Sequence, residues 1–243
     1  MKNLLSIIFG LLVLLGQQAF ASGVSLESAD ADVSDIDSLK RGAKYFVDYC
    51  SGCHAMKHLR YSRIASDFQM AEPEFKKLGL MAPGVKIHDS LEGSMHPEDS
   101  KDWLGVPPPD LSLIARARGA DWLFTYLKGF YADPSRPTGS NNIVLANVGM
   151  PNVLWQLQGI QEPVFRQDAG EAPVFERMKI VQEGELSGAK FDQMLNDLVA
   201  FLKYAGEPSQ FQRVKVGRFV LLALIAFSAV LYKLKKEYWR DIS

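Results

Sequence analysis

Cys50-Ser51-Gly52-Cys53-His54 constrains this chain more than any other stretch of it. A C-x-x-C-H run is the sequence pattern of c-type haem attachment. Two thiols three positions apart at a helix end can form thioethers to the two vinyl groups of one porphyrin. The next residue then presents an imidazole to the iron from the same side. Two other chemistries use cysteines at this spacing. A dithiol redox pair has no need of the following histidine and sits in a βαβ context that the chain lacks. A zinc site would require two more Cys or His ligands at matching spacing. The chain has only these two cysteines. Haem attachment is the reading that uses all three residues, and export suits it, because attachment takes place outside the cytoplasm.

The surroundings of the motif read as a mainly α, loop-rich c-type cytochrome domain. Asp35 can cap a helix running to about Cys50, since Leu39, Ala43, Phe46, Val47 and Cys50 recur at helical spacing. Ahead of it lies an acidic arm with Glu27, Asp30, Asp32, Asp35 and Asp37. Residues 55–110 have poor periodicity and many turn residues. Asp121 begins a second helix through about Phe130, and 131–190 is again loop-rich, with five prolines from Pro134 to Pro173. Ser187 opens an amphipathic helix whose apolar face is Phe191, Met194, Leu195, Leu198, Leu202 and Ala205. Gly206 and Pro208 stop it. No internal repeat or low-complexity tract interrupts this order.

The two ends are different in kind. Residues 1–21 hold Lys2, an apolar run from Leu4 to Leu15 and Ala19-Phe20-Ala21, the plan of a secretory signal with Ser22 as the first mature residue. The haem domain then occupies 22–206, a linker 207–215, a transmembrane helix 216–234 and a tail 235–243. The uncharged run Phe219–Tyr232 is only 14 residues, below the roughly 20 that a bilayer core requires. Arg218 and Lys233 can snorkel to the two interfaces and complete a 19-residue span from Val216 to Leu234. The signal sends the domain outward, so Lys233, Lys235, Lys236 and Arg240 fall in the cytoplasm, as the positive-inside rule prefers. The expected location is a bacterial inner membrane, crossed once, with the haem domain in the periplasm. Residues 207–243 carry seven Lys/Arg against three Asp/Glu, so with Lys2 and a total of −1, residues 22–206 carry −6. Such a domain repels nucleic acid and suits a basic partner. With 47% hydrophobic and 23% charged residues, disorder is not expected.

What faces the iron opposite His54 decides the chemistry. An open face allows ligand chemistry, whereas a methionine thioether closes it and raises the potential. The candidates are Met56, Met70, Met81, Met95, Met150, Met178, Met194, His58, His88 and His96. Met56 and His58 are too near His54 in the chain to reach round a porphyrin. Met178 lies in a charged stretch, and Met194 on an apolar helix face where core packing is its ordinary use. Met150, between Gly149 and Pro151, sits in a stiff loop that can approach closely. Met81 is its best rival, and His88 or His96 would give a bis-histidine iron of lower potential.

Taken in order, the motifs resemble the cytochrome c1 family from about Ser38 to Trp239. They are Arg41-Gly42 ahead of the haem motif, Leu59-Arg60-Tyr61, Pro107-Pro108-Pro109-Asp110-Leu111-Ser112, Ala117-Arg118, Gly149-Met150-Pro151, and Val199 through Pro208 leading into the anchor. The resemblance implies one covalent haem c attached through Cys50 and Cys53, with His54 and Met150 as axial ligands. It also implies that Arg118 pairs with a haem propionate and that Pro108 and Pro109 pack against the haem. By the same resemblance, electrons arrive from a Rieske iron–sulfur protein and leave to a cytochrome c, within a quinol-oxidising complex that includes cytochrome b. The chain would not be catalytic alone. The segment after Arg118 is shorter than in mitochondrial relatives, and Asn141 to Gly149 lacks their Pro- and Tyr-containing stretch, which leaves the loops near the haem open. Two other readings stand beside this one: a haem enzyme with an open sixth site, and a lone tethered cytochrome serving a terminal oxidase.

Overall fold

The computed structural model describes residues 24–81, 84–166 and 174–240; the expected signal segment, 1–21, lies outside them. Helix α1 spans Ile36–Tyr49, and the Asp35 carboxylate accepts from the backbone N–H groups of Asp37 and Ser38 at its start. This satisfies two donors that the first helical turn leaves without partners. Strand β1 (Met56–Arg60) follows, then α2 (Tyr61–Asp67) and α3 (Glu72–Lys77). Strand β2 (Ser90–Leu91) pairs with β1, and α4 covers Pro97–Leu104. Helices α5 (Ile114–Arg118) and α6 (Ala120–Lys128) meet at Gly119. Strands β3 (Phe130–Ala132) and β4 (Ser140–Asn142) form a hairpin, and α7 (Trp155–Gln158) leads into a longer one. That hairpin pairs β5 (Gly159–Arg166) with β6 (Val174–Glu183). Helix α8 (Gly188–Gly206) and helix α9 (Gln210–Tyr238) end the chain.

Helices α1 and α8 form the frame. Their backbones touch where Gly42 meets the Asp197 carbonyl. Phe46 and Phe201 pack nearby with tilted rings, their centroids 5.8 Å apart. The Arg41 guanidinium donates two bonds to the buried Asp197 carboxylate, Nε to Oδ2 at 2.6 Å and Nη2 to Oδ1 at 2.9 Å, and the Ser38 hydroxyl adds a third at 2.6 Å. Pairing and hydrogen bonding at both oxygens is what allows a carboxylate to remain in an apolar interface. The core continues through Phe68, Phe75 and Tyr204. Ser187 occupies the N-cap position of α8, but its side chain makes no cap bond.

The described residues are helical for about half their length, with loops and three two-stranded antiparallel ladders between. The β5–β6 hairpin falls in a region expected to be loop. Pro163 and Pro173 read there as breakers; Pro163 falls inside β5, where proline is tolerated because each strand of a two-stranded ladder has one free edge, and Pro173 lies outside the described residues.

Helix α9 begins at Gln210, inside the 207–215 segment read as a linker, and runs unbroken for 29 residues. At 1.5 Å per residue that is about 43 Å. Its apolar stretch reaches a mean hydropathy of 2.1, and none of it is buried. A core helix of this composition would be covered, so α9 is a candidate membrane span. Its joint to the domain is braced. The Arg63 guanidinium donates to Asp67 Oδ2 at 2.6 Å and to the Pro208 carbonyl at 2.8 Å. The Tyr204 hydroxyl donates to the same Asp67 oxygen at 2.7 Å. Phe211, on the first turn of α9, packs against Tyr204.

Candidate haem site

The motif closes the C-terminal end of α1. The N–H groups of Cys50 and Ser51 both donate to the Phe46 carbonyl, and those of Cys53 and His54 both donate to the Cys50 carbonyl. The Ser51 hydroxyl bonds the Val47 carbonyl at 2.7 Å. The helix therefore ends in a hydrogen-bonded turn that carries both cysteines and the histidine. Burial, with the neighbouring Cys53 adding to it, pushes the Cys50 thiol up to about 12. Reactive dithiols work through a lowered cysteine pKa, so this environment is the reverse of what a redox pair uses.

The 107–112 segment is laced to the residues after the motif. Leu111 N–H donates to the Ala55 carbonyl, Lys57 N–H to the Asp110 carboxylate and His58 N–H to the Ser112 hydroxyl. Pro107, Pro108 and Pro109 thereby form a stiff wall beside His54. The Pro109 carbonyl lies 2.8 Å from His54 Nδ1. A carbonyl only accepts, so Nδ1 carries the hydrogen and the lone pair resides on Nε2. That is the arrangement in which an outer partner orients a metal-binding imidazole. Burial holds His54 below the usual histidine value, with the Pro109 bond working the other way; the ring is neutral at pH 7, the ligand form.

One cleft gathers these groups. Tyr49, Cys53, His54, Leu104, Val106, Pro107, Pro108, Pro109, Gly149, Met150, Pro151 and Val153 line it, and it encloses about 500 Å³ including its mouth. Space of that order suits an organic group rather than a lone ion, and the lining is overwhelmingly apolar. Among the described residues no group of three or more His, Cys, Asp or Glu could hold a metal ion by itself. A flat apolar macrocycle with its own iron fits this donor set.

Met150 reaches the cleft on a loop that the β3–β4 hairpin holds in place. Asn141 Oδ1 accepts from Asn147 N–H at 2.8 Å, and the Ser140 hydroxyl accepts from Asn152 N–H at 3.1 Å. Asn142 Nδ2 donates to the Tyr126 carbonyl at 2.7 Å, tying hairpin to α6. A Cβ at Gly149 would lie 3.0 Å from the Leu104 carbonyl, so the loop passes close against the far wall because residue 149 has no side chain. The Tyr126 hydroxyl is 3.6 Å from Met150 Sδ, and burial pushes that hydroxyl up to about 12.

Of the other ligand candidates, Met56, Met70, Met81 and Met194 are buried in the core cluster. Met95 and His96 line a separate cleft, which Cys53, Pro107 and Pro108 also border but His54 does not. His58 and His88 are exposed. Met150 alone among them shares the cleft with His54. Cys50 is buried at the helix end beside the cleft. Pro108 and Pro109 line it, whereas Arg118 does not; its guanidinium lies over the Trp122 ring, 5.0 Å from the centroid. Tyr126, Asn141 and Asn142 were not anticipated as part of this site. Two adjacent amides in a loop-rich stretch were their only sequence signal.

The model of the cytochrome c1 family matches residues 29–242. The chain belongs to the cytochrome c1 family. It is 44% identical to a cytochrome c1 of Allochromatium vinosum over the whole of both chains. It is 42% identical to a Nitrosomonas europaea protein named ammonia monooxygenase gamma subunit, over 92% of each. With the mitochondrial cytochrome c1 of Saccharomyces cerevisiae the identity is 25%, over 86% of this chain and 68% of that one. Membership makes the chain a haem-containing electron-transfer subunit of the bc1 respiratory complex, anchored in a bacterial membrane. The ordered motifs were therefore a better guide than C-x-x-C-H alone, which every c-type cytochrome shares.

Proposed function

We propose that the chain carries one haem c, bound through thioethers at Cys50 and Cys53 and ligated by His54 and Met150. On this reading it accepts electrons from a Rieske iron–sulfur protein and delivers them to a cytochrome c. The observation that carries it is that His54 and Met150 line the same apolar cleft while the Pro109 carbonyl holds the histidine with Nε2 free. When bound, the haem supplies a one-electron ferrous–ferric couple.

The protein's own part is binding, orientation and exclusion of water. The turn closing α1 presents Cys50, Cys53 and His54 as one unit. Pro109 fixes the imidazole tautomer and ring direction. Pro107, Pro108, Leu104 and Val106 supply an apolar wall, which disfavours the more highly charged ferric state and raises the potential. His54 and Met150, which line the same cleft, would together hold the iron, and a site filled by both would leave no place for an exogenous ligand, which weighs against the enzyme reading. Arg118, at the exposed end of α5, is within the family motif and is proposed to meet a haem propionate, where a planar fork suits a carboxylate. The acidic domain favours a basic carrier and salt-sensitive docking.

The domain is proposed to sit in the periplasm, with α9 crossing the inner membrane. Mild-detergent purification through a C-terminal tag tests the assembly. Co-purification of a dihaem cytochrome b and an iron–sulfur subunit is expected. Purification of the single chain with full haem and neither partner would favour a lone tethered cytochrome instead.

A further inference from the structure

The geometry points to Tyr126 as the residue that orients the Met150 thioether and raises the reduction potential of the haem, an inference that rests on Met150 being the ligand. The Tyr126 hydroxyl lies 3.6 Å from Met150 Sδ, within hydrogen-bond reach for a sulfur acceptor. A thioether sulfur has two lone pairs. If one is held by a hydroxyl, only the other is free for iron, so the hydrogen bond selects which face of the sulfur binds.

The hydroxyl is aimed by its surroundings. The Tyr126 ring is stacked on Trp122, with centroids 4.8 Å apart and planes 9° from parallel. Phe130 meets it in an edge-to-face contact, with centroids 5.1 Å apart. The Arg118 guanidinium lies over the Trp122 ring, 5.0 Å from its centroid. The backbone at Tyr126 is fixed through its carbonyl, which accepts from Asn142 Nδ2 at 2.7 Å. Because Asn141 and Ser140 of the same hairpin hold the loop on either side of Met150, donor and acceptor are set by one hairpin.

The sign of the effect follows from the dipole. The positive end of the O–H bond points at the sulfur and withdraws electron density from it. Ferric iron carries one more positive charge than ferrous iron and depends more on that density. The bond therefore favours the ferrous state and raises the midpoint potential.

The test compares wild type, Tyr126→Phe and Met150→Leu as full-length holoproteins in detergent. Tyr126→Phe keeps the stacked ring and removes only the hydroxyl. Its midpoint is expected to fall by about a fivefold change in the ferrous-to-ferric ratio, the size of one modest hydrogen bond; tenfold would be 59 mV for one electron. Its sulfur-to-ferric-iron charge-transfer band is expected to persist but shift, while Met150→Leu loses that band. If Tyr126→Phe matches wild type in midpoint and band while Met150→Leu loses the band, the role of Tyr126 is overturned and the ligand stands. If Met150→Leu keeps the band, the ligand reading fails and takes this inference with it. Should Tyr126→Phe take up no haem, nuclear magnetic resonance of ferrous wild type decides. A cross-relaxation peak between the Tyr126 hydroxyl proton and the Met150 methyl supports the contact, and its absence overturns it.

Discussion

Gly42→Ala should destabilise the domain although alanine is the better helix former. An added Cβ would lie 2.0 Å from the Asp197 carbonyl oxygen, 2.7 Å from its carbon and 2.8 Å from Phe201 Cβ. Ordinary contact begins near 3.4 Å, so α1 and α8 must part by about 1.4 Å. The obstacle is backbone and cannot rotate away. Gly→Ala inside a helix contributes about 1 kcal/mol. Overpacking typically costs about 1–3 kcal/mol, and gaps of 0.5–1 Å forfeit roughly a quarter to a half of each dispersion contact they open. The same separation stretches the Arg41 and Ser38 bonds to Asp197, of a class worth about 1.5–3 kcal/mol each. A net loss of about 3 kcal/mol follows, which for a domain of this length lowers Tm by about 6–12 °C. Thermal unfolding of the full-length protein in detergent, followed by circular dichroism, measures it. Gly188→Ala, at the first position of α8, is the control, since a Cβ there meets nothing within 4 Å. A Gly42→Ala protein melting within about 2 °C of wild type would refute the packing argument.

Two further outcomes concern the joint between domain and anchor. A chain cut after Lys215 should be soluble, fully haem-loaded and more stable than one cut after Gly206, because only the longer piece keeps the Arg63–Pro208, Tyr204–Phe211 and Glu207–Arg213 contacts; equal melting temperatures would count against the brace. The Arg213 guanidinium is the main cause that holds the half-buried Glu207 carboxylate below its usual value of 4.5. Because the folded value is the lower one, this contribution is present above pH 4.5 and lost as pH falls through the folded value. Hydrogen-exchange protection of the first turn of α9 should therefore weaken on acidification below about pH 4.5 in wild type, and the pH dependence should vanish in Glu207→Gln.

The frame and the haem motif were legible because each rests on local chemistry. Asp35 and the Leu39–Phe46 spacing define α1 without reference to any other segment, and Gly206 and Pro208 end α8 in the same way. The site was legible only in pieces. Cys50, Cys53 and His54 are contiguous, but Met81 and Met150 look alike in sequence, each in a stiff proline-flanked loop. Tertiary packing separates them: Met81 is buried in the core, and Met150 is carried to the cleft by a hairpin whose Asn141 and Asn142 bonds span several residues. Tyr126 read as one bulky member of a helix, since nothing local tells a core tyrosine from one whose hydroxyl meets a sulfur 24 residues away. The β5–β6 hairpin was hidden by Pro163, whose missing N–H matters little on an exposed edge. Arg118 was read from its motif toward a propionate, and its stacking on Trp122 depends on a helix junction at Gly119 that spacing does not reveal.

The proposal that His54 and Met150 close the two faces of one haem is tested most directly by Met150→Leu in the full-length holoprotein. Leucine keeps the apolar volume and removes the sulfur. The midpoint potential should fall substantially, and the reduced protein should bind carbon monoxide at neutral pH, whereas wild type should not. An unchanged midpoint with no carbon monoxide binding would mean that Met81 or a histidine holds the sixth position.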